Sequence, residues 1–317
     1  MERGKGIETV NKLKESINGV IVGKEKVTEL VLTGVIAGGH LLIEDMPGTG
    51  KTLMAKTFAA SIDGEFSRVQ FTPDLLPADI TGLSIYNQAK GQFEFVKGPI
   101  LTNIMLADEI NRATPRTQSA LLEAMEERQV TVDGNTYRLS EPFVVMATEN
   151  PVETTGTFPL PEAQLDRFIM RLSMGSLSAE EEVRMLNVIN EGKVNEKTKP
   201  VCSCRDICEL RELADGVFVH DDLKEYLVKI VQKTRGHGSI RMGVSPRGTL
   251  WLLKAAKAYA FINGREYVLP DDIKYLSEYV LSHRIIVYSG RSMEDKKKMI
   301  KEVVDSIEVP SEEWSRR

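Results

Sequence analysis

Five short apolar runs constrain this chain more than anything else in it: Leu41–Ile43, Val69–Phe71, Ile104–Ala107, Phe143–Ala147 and Phe168–Leu172. They are mostly unalternating, the pattern of strands covered on both faces. Helix-like stretches lie between them, among them Leu53–Ile62 and Gln118–Arg128. Strands alternating with helices fold as a parallel sheet with helices on both sides. Residues 1–175 therefore read as an α/β core with a central five-stranded parallel sheet. Ahead of the first run, residues 7–37 read as a helix, with Val27, Leu30, Val31 and Val35 at helical spacing. After Gly175 the strand signals fade, and residues 176–317 read as a small all-α domain. It opens on a capping sequence, SLSAEEE at Ser176–Glu182, and closes on a charged stretch read as a solvated helix and a frayed tail.

Two insertions break the alternation. Pro73–Pro99 is long and rich in Pro and Gly, with a hairpin expected around Gln88–Gln92. Gln129–Leu139 (QVTVDGNTYRL) alternates with period two about Asp133-Gly134-Asn135, a strong hairpin signal.

The chemistry gathers where the apolar runs end. EDMPGTGKT (Glu44–Thr52) follows the first run directly. A strand, a glycine-rich loop and a helix start aim several backbone N–H groups and the positive helix end at one point, where phosphate oxygens fit. Gly48 and Gly50 permit close approach, Lys51 supplies a cation for β- and γ-phosphates, and Thr52 can ligate Mg²⁺. The strict motif has glycine where this chain has Asp45, and the bland alternative is an ordinary β-turn-α loop. The third run carries Asp108 and Glu109 to the carboxyl end of its strand, the edge at which open α/β sheets bind ligands. There Asp108 can hold Mg²⁺ through its hydration shell, and Glu109 can polarise the water that attacks a γ-phosphate.

Three further residues complete the constellation, each beside a plainer alternative. Asn150, after the fourth run, can donate and accept at once and so orient that water; otherwise it begins a turn before Pro151. Arg167, before the fifth run, suits phosphate recognition across a subunit boundary, or it pairs with its neighbour Asp166. Arg247 follows the expected N-cap Ser245 and first-turn Pro246, where a cation opposes the helix dipole; a bound polyphosphate would compensate, as would bending away into solvent.

PGTGKT, LADEINRATPRTQSALLEAMEERQVTV, ATENP and LPEAQLDRF together resemble the MoxR family of AAA+ ATPases, in the helix-2-insert group, over essentially the whole chain. The resemblance implies that Pro47, Gly48, Thr49, Gly50, Lys51, Thr52 and the adjoining Leu53 form the Walker A loop, and Asp108 and Glu109 the Walker B pair. It implies Asn150 as sensor 1, Arg167 as arginine finger and Arg247 as sensor 2, with ATP and Mg²⁺ as cofactors. Glu149 stands where the family leads one to expect glutamine. Arg112 and Arg116 are further candidates to face a neighbouring subunit. The resemblance also implies a homo-oligomer, a hexameric ring, that remodels protein clients, with partners carrying von Willebrand factor A domains.

Composition narrows the alternatives. Forty-one Lys and Arg against forty-six Asp and Glu give a net charge of -5, which disfavours a dedicated nucleic-acid binder. A nucleic-acid motor of the same group nevertheless stays open through Lys90, Arg128 and Arg138 near the hairpins, as do a magnesium-chelatase-type subunit and a nucleotide-gated scaffold with negligible turnover. No apolar run nears the ~18 residues of a membrane span, and the N-terminus lacks a secretory stretch, so the expected location is the cytoplasm. The three cysteines, Cys202, Cys204 and Cys208, have no usual zinc spacing even with His220, and read as reduced structural thiols.

Overall fold

The computed structural model describes residues 1–46, 48–150, 156–190, 198–289 and 292–310. The stretch expected as one helix over residues 7–37 is two, α1 (Arg3–Asn18) and α2 (Glu25–Ile36). Glycine makes the break: Gly23 adopts φ +71°, and the Glu181 carboxyl packs against it so closely that a Cβ would sit 2.7 Å away. The chain then runs through β1 (His40–Glu44), α3 (Lys51–Ser61), β2 (Phe66–Gln70), α4 (Pro77–Thr81), β3 (Gly82–Asn87), β4 (Gln92–Lys97) and β5 (Ile104–Asp108). It continues through α5 (Pro115–Glu127), β6 (Gln129–Val132), β7 (Asn135–Arg138), β8 (Val144–Glu149), the single turn α6 (Glu162–Leu165) and β9 (Phe168–Leu172).

The five apolar runs supply the five strands of one parallel sheet, ordered β2-β5-β8-β1-β9. In β1, β5 and β8 successive apolar residues enter different cores, which is why these runs do not alternate with polar residues. By contrast β2, expected to be covered on both faces, lies at the sheet edge with Arg68 and Gln70 exposed. Leu41, Ile43, Leu106 and Met146 join α1, α2, α3 and the later helices on one face. Leu42, Met105 and Val145 join Leu121, Leu122 and Met125 of α5 on the other. Register levels the carboxyl ends: Glu44 lies opposite Glu149, and Gln70 opposite Asp108. Everything just past these residues falls on one edge.

Both expected hairpins form as antiparallel pairs, β3 with β4 and β6 with β7. They are joined by Phe95 stacked on Tyr137, ring centroids 3.9 Å apart. Such a pair contributes about 0.5–1.5 kcal/mol beyond area burial.

Past residue 175 come α7 (Ala179–Asn190), α8 (Cys204–Asp215), α9 (Asp221–Arg235), β10 (Ile240–Met242), α10 (Pro246–Ile262), α11 (Pro270–Leu281), β11 (Ile286–Val287) and α12 (Met293–Asp305). The expected capping sequence forms a box at Ser178: its Oγ accepts from Glu181 N at 3.3 Å, and Glu181 returns its carboxylate to Ser178 N at 2.7 Å. The β10–β11 ribbon went unread because two- and three-residue strands carry no period. The charged α12 is not simply solvated, since Ile300, Val303 and Val304 are buried on one stripe; residues 311–317 of the expected tail lie outside the described residues. No helix among the described residues is long and apolar enough to cross a membrane.

Candidate functional site

At the carboxyl edge of the sheet a cleft of about 400 Å³ opens between the loop after β1 and the ends of β2 and β5. Gly48, Gly50, Lys51, Thr52 and Leu53 line one wall, and Asp108 and Glu109 the other. Gly48 (φ +83°) and Gly50 (φ +94°) hold left-handed conformations that a side chain would strain, so the strand turns into α3 with its first N–H groups facing the cleft. Thr49 Oγ1 donates to Met46 O within the same turn at 3.2 Å. Lys51 is 9% exposed, its Nζ donating to the carbonyl of Asp45 at 2.8 Å. Pro47, expected in this loop, lies outside the described residues.

Asp45 has a structural task that glycine could not perform. Its carboxylate accepts from Met46 N (2.9 Å), from Ser173 Oγ (3.1 Å) and from Gly175 N (2.9 Å). The phosphate loop is thereby tied to the chain leaving β9.

The acidic wall is held by its own network. Asp108 accepts from Thr148 Oγ1 at 2.6 Å and pairs with Arg68 at 2.7 Å. Glu109 carries φ +55°, rare for a residue with a side chain, and its N–H donates to the same Thr148 hydroxyl at 2.8 Å. Its Oε2 accepts from Gln70 Nε2 (2.7 Å) and from Arg112 Nη1 (2.9 Å). Arg112, a candidate to face a neighbouring subunit, pairs in the single chain with Glu109 of its own cleft. Thr148, Gln70 and Arg68 were missed in the sequence; the available signal was polar residues inside strand runs, at register positions level with Asp108. Asn150 follows directly on β8, the strand between β5 and β1, and is 6% exposed; it does not line the cleft.

Beside Asn150, Glu149 is buried with Arg171 (3.5 Å) and close to Glu44, which holds Arg171 at 2.6 Å. Burial pushes the Glu149 carboxyl above the ordinary glutamate range, with Arg171 opposing.

Arg167 and Arg247 are together, but elsewhere; neither lines the cleft. Both guanidinium groups clasp one carboxylate, Glu126 near the end of α5: Arg167 Nε at 3.1 Å from Oε2, and Arg247 Nη2 against Oε1. Arg167 Nη1 also donates to Leu122 O. Asp166 does not pair with Arg167. It accepts from Ser245 Oγ (2.8 Å) and binds the buried Arg284 (2.7 Å), so the helical domain grips the segment carrying Arg167. Ser245 caps α10 by accepting from Gly248 N, with Pro246 in the first turn as the sequence suggested.

His40 lines the same arginine pocket. Its Nε2 meets Met125 O at 3.1 Å, and its Nδ1 accepts from Val145 N at 2.9 Å, which fixes a neutral ring with the proton on Nε2. Burial, reinforced by Arg128, pushes its pKa well below the usual histidine range. The thiol of Cys202 is pushed up to about 12, mainly by burial.

Mg²⁺ demands hard oxygen ligands and keeps several from water and phosphate. The Thr52 hydroxyl and the Asp108 carboxylate on facing walls of one cleft fit that demand. Among the described residues no group of three or more His, Cys, Asp or Glu is placed to hold a metal.

Comparison with known proteins agrees with this geometry. Residues 40–170 match the ATPase family associated with various cellular activities (AAA), and residues 232–307 match the AAA lid domain. The chain is 50% identical over 303 residues to the uncharacterized protein YeaC of Bacillus subtilis, covering 95% of each. It is 41% identical over 290 residues to the chaperone MoxR1 of Mycobacterium tuberculosis, covering 89% of this chain and 76% of that one. A solved structure of a candidate ATPase from Cytophaga hutchinsonii superposes with a TM-score of 0.89 at 38% identity, over 98% of this chain and 97% of the other.

Proposed function

Because this chain belongs to the MoxR family of AAA+ ATPases, we propose that it is a Mg²⁺-dependent motor that remodels protein clients as a closed ring, with each catalytic site shared by two copies. The observation that carries the reading is the separation of the two charged clusters. One chain supplies the loop and the carboxylates in one place, and the arginine pair in another.

Backbone N–H groups of the glycine loop and the Lys51 ammonium bind the β- and γ-phosphates of ATP. Thr52 and Asp108 hold Mg²⁺, which when bound neutralises phosphate charge. Glu109 takes the proton of the attacking water at its carboxylate, once released from Gln70 and Arg112, and Asn150 orients that water. Arg167 and Arg247 reach the triphosphate of the next copy and stabilise charge spreading over its oxygens. Leu53 lies against the nucleotide, beside the phosphate loop.

A protein client suits the hairpins better than a nucleic acid does. Ile85, Tyr86, Phe93 and Val96 are exposed on β3 and β4, while Lys90 is engaged by Glu94 at 2.6 Å. The name of the MoxR1 relative, a chaperone, supports the same view. We place the ring, a hexamer, in the cytoplasm, acting on partners that include von Willebrand factor A domains.

Mixing variants tests the shared site. Glu109→Gln and Arg167→Ala proteins should each be nearly inactive alone. Their mixture should recover turnover, since a Glu109→Gln copy lends its arginine to the intact cleft beside it. Absence of recovery at every mixing ratio, with assembly preserved, would overturn the shared-site reading.

A further inference from the structure

Among the described residues two apolar surfaces remain exposed, and they sit on opposite halves of the divided site. The first is a face of α7. No residue of this helix is buried, and Val183, Leu186 and Ile189, spaced by three, are 58%, 55% and 48% exposed. A helix with an exposed apolar stripe is incomplete by itself. The second is a groove of about 410 Å³ between α9 and α10, floored by Leu227, Val231, Leu250 and Leu253. Its only charged lining residues are cations, Lys224 and Arg235.

Their positions connect them to the catalytic halves. The start of α7 is fastened to the nucleotide side of the molecule. Gly175 N donates to the Asp45 carboxylate at 2.9 Å, and Lys24 Nζ donates to Gly175 O and Ser176 O, both at 2.9 Å. The groove instead lies on the same helix as Arg247, for Pro246, Thr249 and Leu250 on the neighbouring flank of the α10 start line it. A contact that carries the arginines of one copy to the cleft of the next therefore presents the groove of the first toward α7 of the second. It is heterologous, head to tail, the kind that closes into rings. Charge agrees on balance: α7 carries Glu180, Glu181 and Glu182 in its first turn against the single cation Arg184, which pairs with Glu181 at 3.9 Å, while the groove is cationic.

We propose that α7 of one copy docks its Val183–Leu186–Ile189 stripe into the α9–α10 groove of the adjacent copy, so that this apolar seat sets the register at which Arg167 and Arg247 meet the neighbour's nucleotide. The proposal rests on the shared-site reading above and adds the surface that aligns it. The occupant is a second copy of this chain. An acidic amphipathic helix of a different protein is the competing occupant and is separated by the test.

Cross-linking decides it. Leu186→Cys and Leu250→Cys are made separately in a full-length background with Cys202, Cys204 and Cys208 changed to Ser. Both sites are exposed, so folding is not at risk. With ATP and mild oxidation, the mixture should give a disulfide-linked dimer of one copy of each variant, and neither variant alone should. Leu186→Glu should raise the protein concentration needed for ATP-driven assembly by on the order of tenfold or more, the loss expected for one buried leucine, and leave ATP affinity unchanged. Dimers of Leu186→Cys with itself would overturn the proposal, as would unchanged assembly by Leu186→Glu. Lack of the mixed dimer while Glu109→Gln and Arg167→Ala still rescue each other would overturn the docking and leave the shared site standing. Lack of both would overturn both.

Discussion

The cleft and the arginine pocket are built on opposite plans. In the cleft the functional groups are anions at the ends of central strands, and the chain answers them with its own cations: Arg68 on Asp108, Arg112 on Glu109. In the pocket the functional groups are cations on a loop and a helix start, and the chain answers them with its own anion, Glu126. Each cluster meets counter-charge within the copy that owns it, fully for Asp108 and Glu109 but only in part for the two guanidinium groups that share Glu126. The anions rest on the rigid core, and the cations on the junction with the helical domain. A chain organised this way leaves the pocket cationic while the copies are apart, and the triphosphate of an adjacent copy is an anion that can displace Glu126.

The largest effect that would sharpen this contrast is on turnover. Arg167→Ala should lower kcat of the assembled protein by about 10³-fold without altering ATP affinity measured by calorimetry. A comparable loss of affinity in the isolated protomer would place the arginine in its own cleft and break the contrast. Lys51→Ala should act the other way, weakening ATP binding by about 10²-fold through loss of a charge-assisted contact. The Asp45→Gly variant, with the residue of the strict motif, should bind ATP a few-fold more weakly and melt earlier, because three hydrogen bonds lost at partly exposed positions are together worth about 1–3 kcal/mol. A higher melting temperature would show that the tether to Gly175 carries no weight.

The smallest effect is a pH dependence confined to the arginine side. His40 and His283 are neutral in the folded chain, with pKa values well below 6.5, burial being the main cause in each. The unfolded chain therefore binds more protons in mild acid, so stability is full above about pH 6.5 and falls as pH drops below it. Urea midpoints at pH 7.5 and 5.5 should show this fall, and His40→Gln should flatten it. An identical slope in that variant would assign the effect to His283 alone.

Much of the architecture was legible because its signals are local. Unalternating runs such as Ile104–Ala107 identify strands buried on two faces, and Asp133-Gly134 can hardly be anything but a hairpin tip. The cleft was legible for the same reason, since the loop and the Asp108-Glu109 pair follow directly on strands. What escaped lay in pairings set only by register or by domain contact. Thr148 looks like one more strand residue until β8 is laid beside β5, where its hydroxyl bridges Asp108 and the Glu109 N–H. Residues 7–37 were read as one helix although the positions at helical spacing, Val27 to Val35, all fall in α2, and spacing there says nothing of the turn at Gly23 before it. The Ser245 cap and first-turn Pro246 around Arg247 were legible locally, but the partner of that out-of-place cation, Glu126, lies 121 residues away.

The clasp at Asp166 has a mechanical outcome. Ser245 and Arg284 come from separate parts of the helical domain, and both close on one carboxylate immediately before Arg167. Arg284 is almost wholly sequestered, and stripping such an ion pair of one member costs roughly 3–5 kcal/mol. Tilting the helical domain must therefore drag the Arg167 segment along rather than slide past it. Arg167 and Arg247 then travel as a single jaw, hinged wherever the two domains bend.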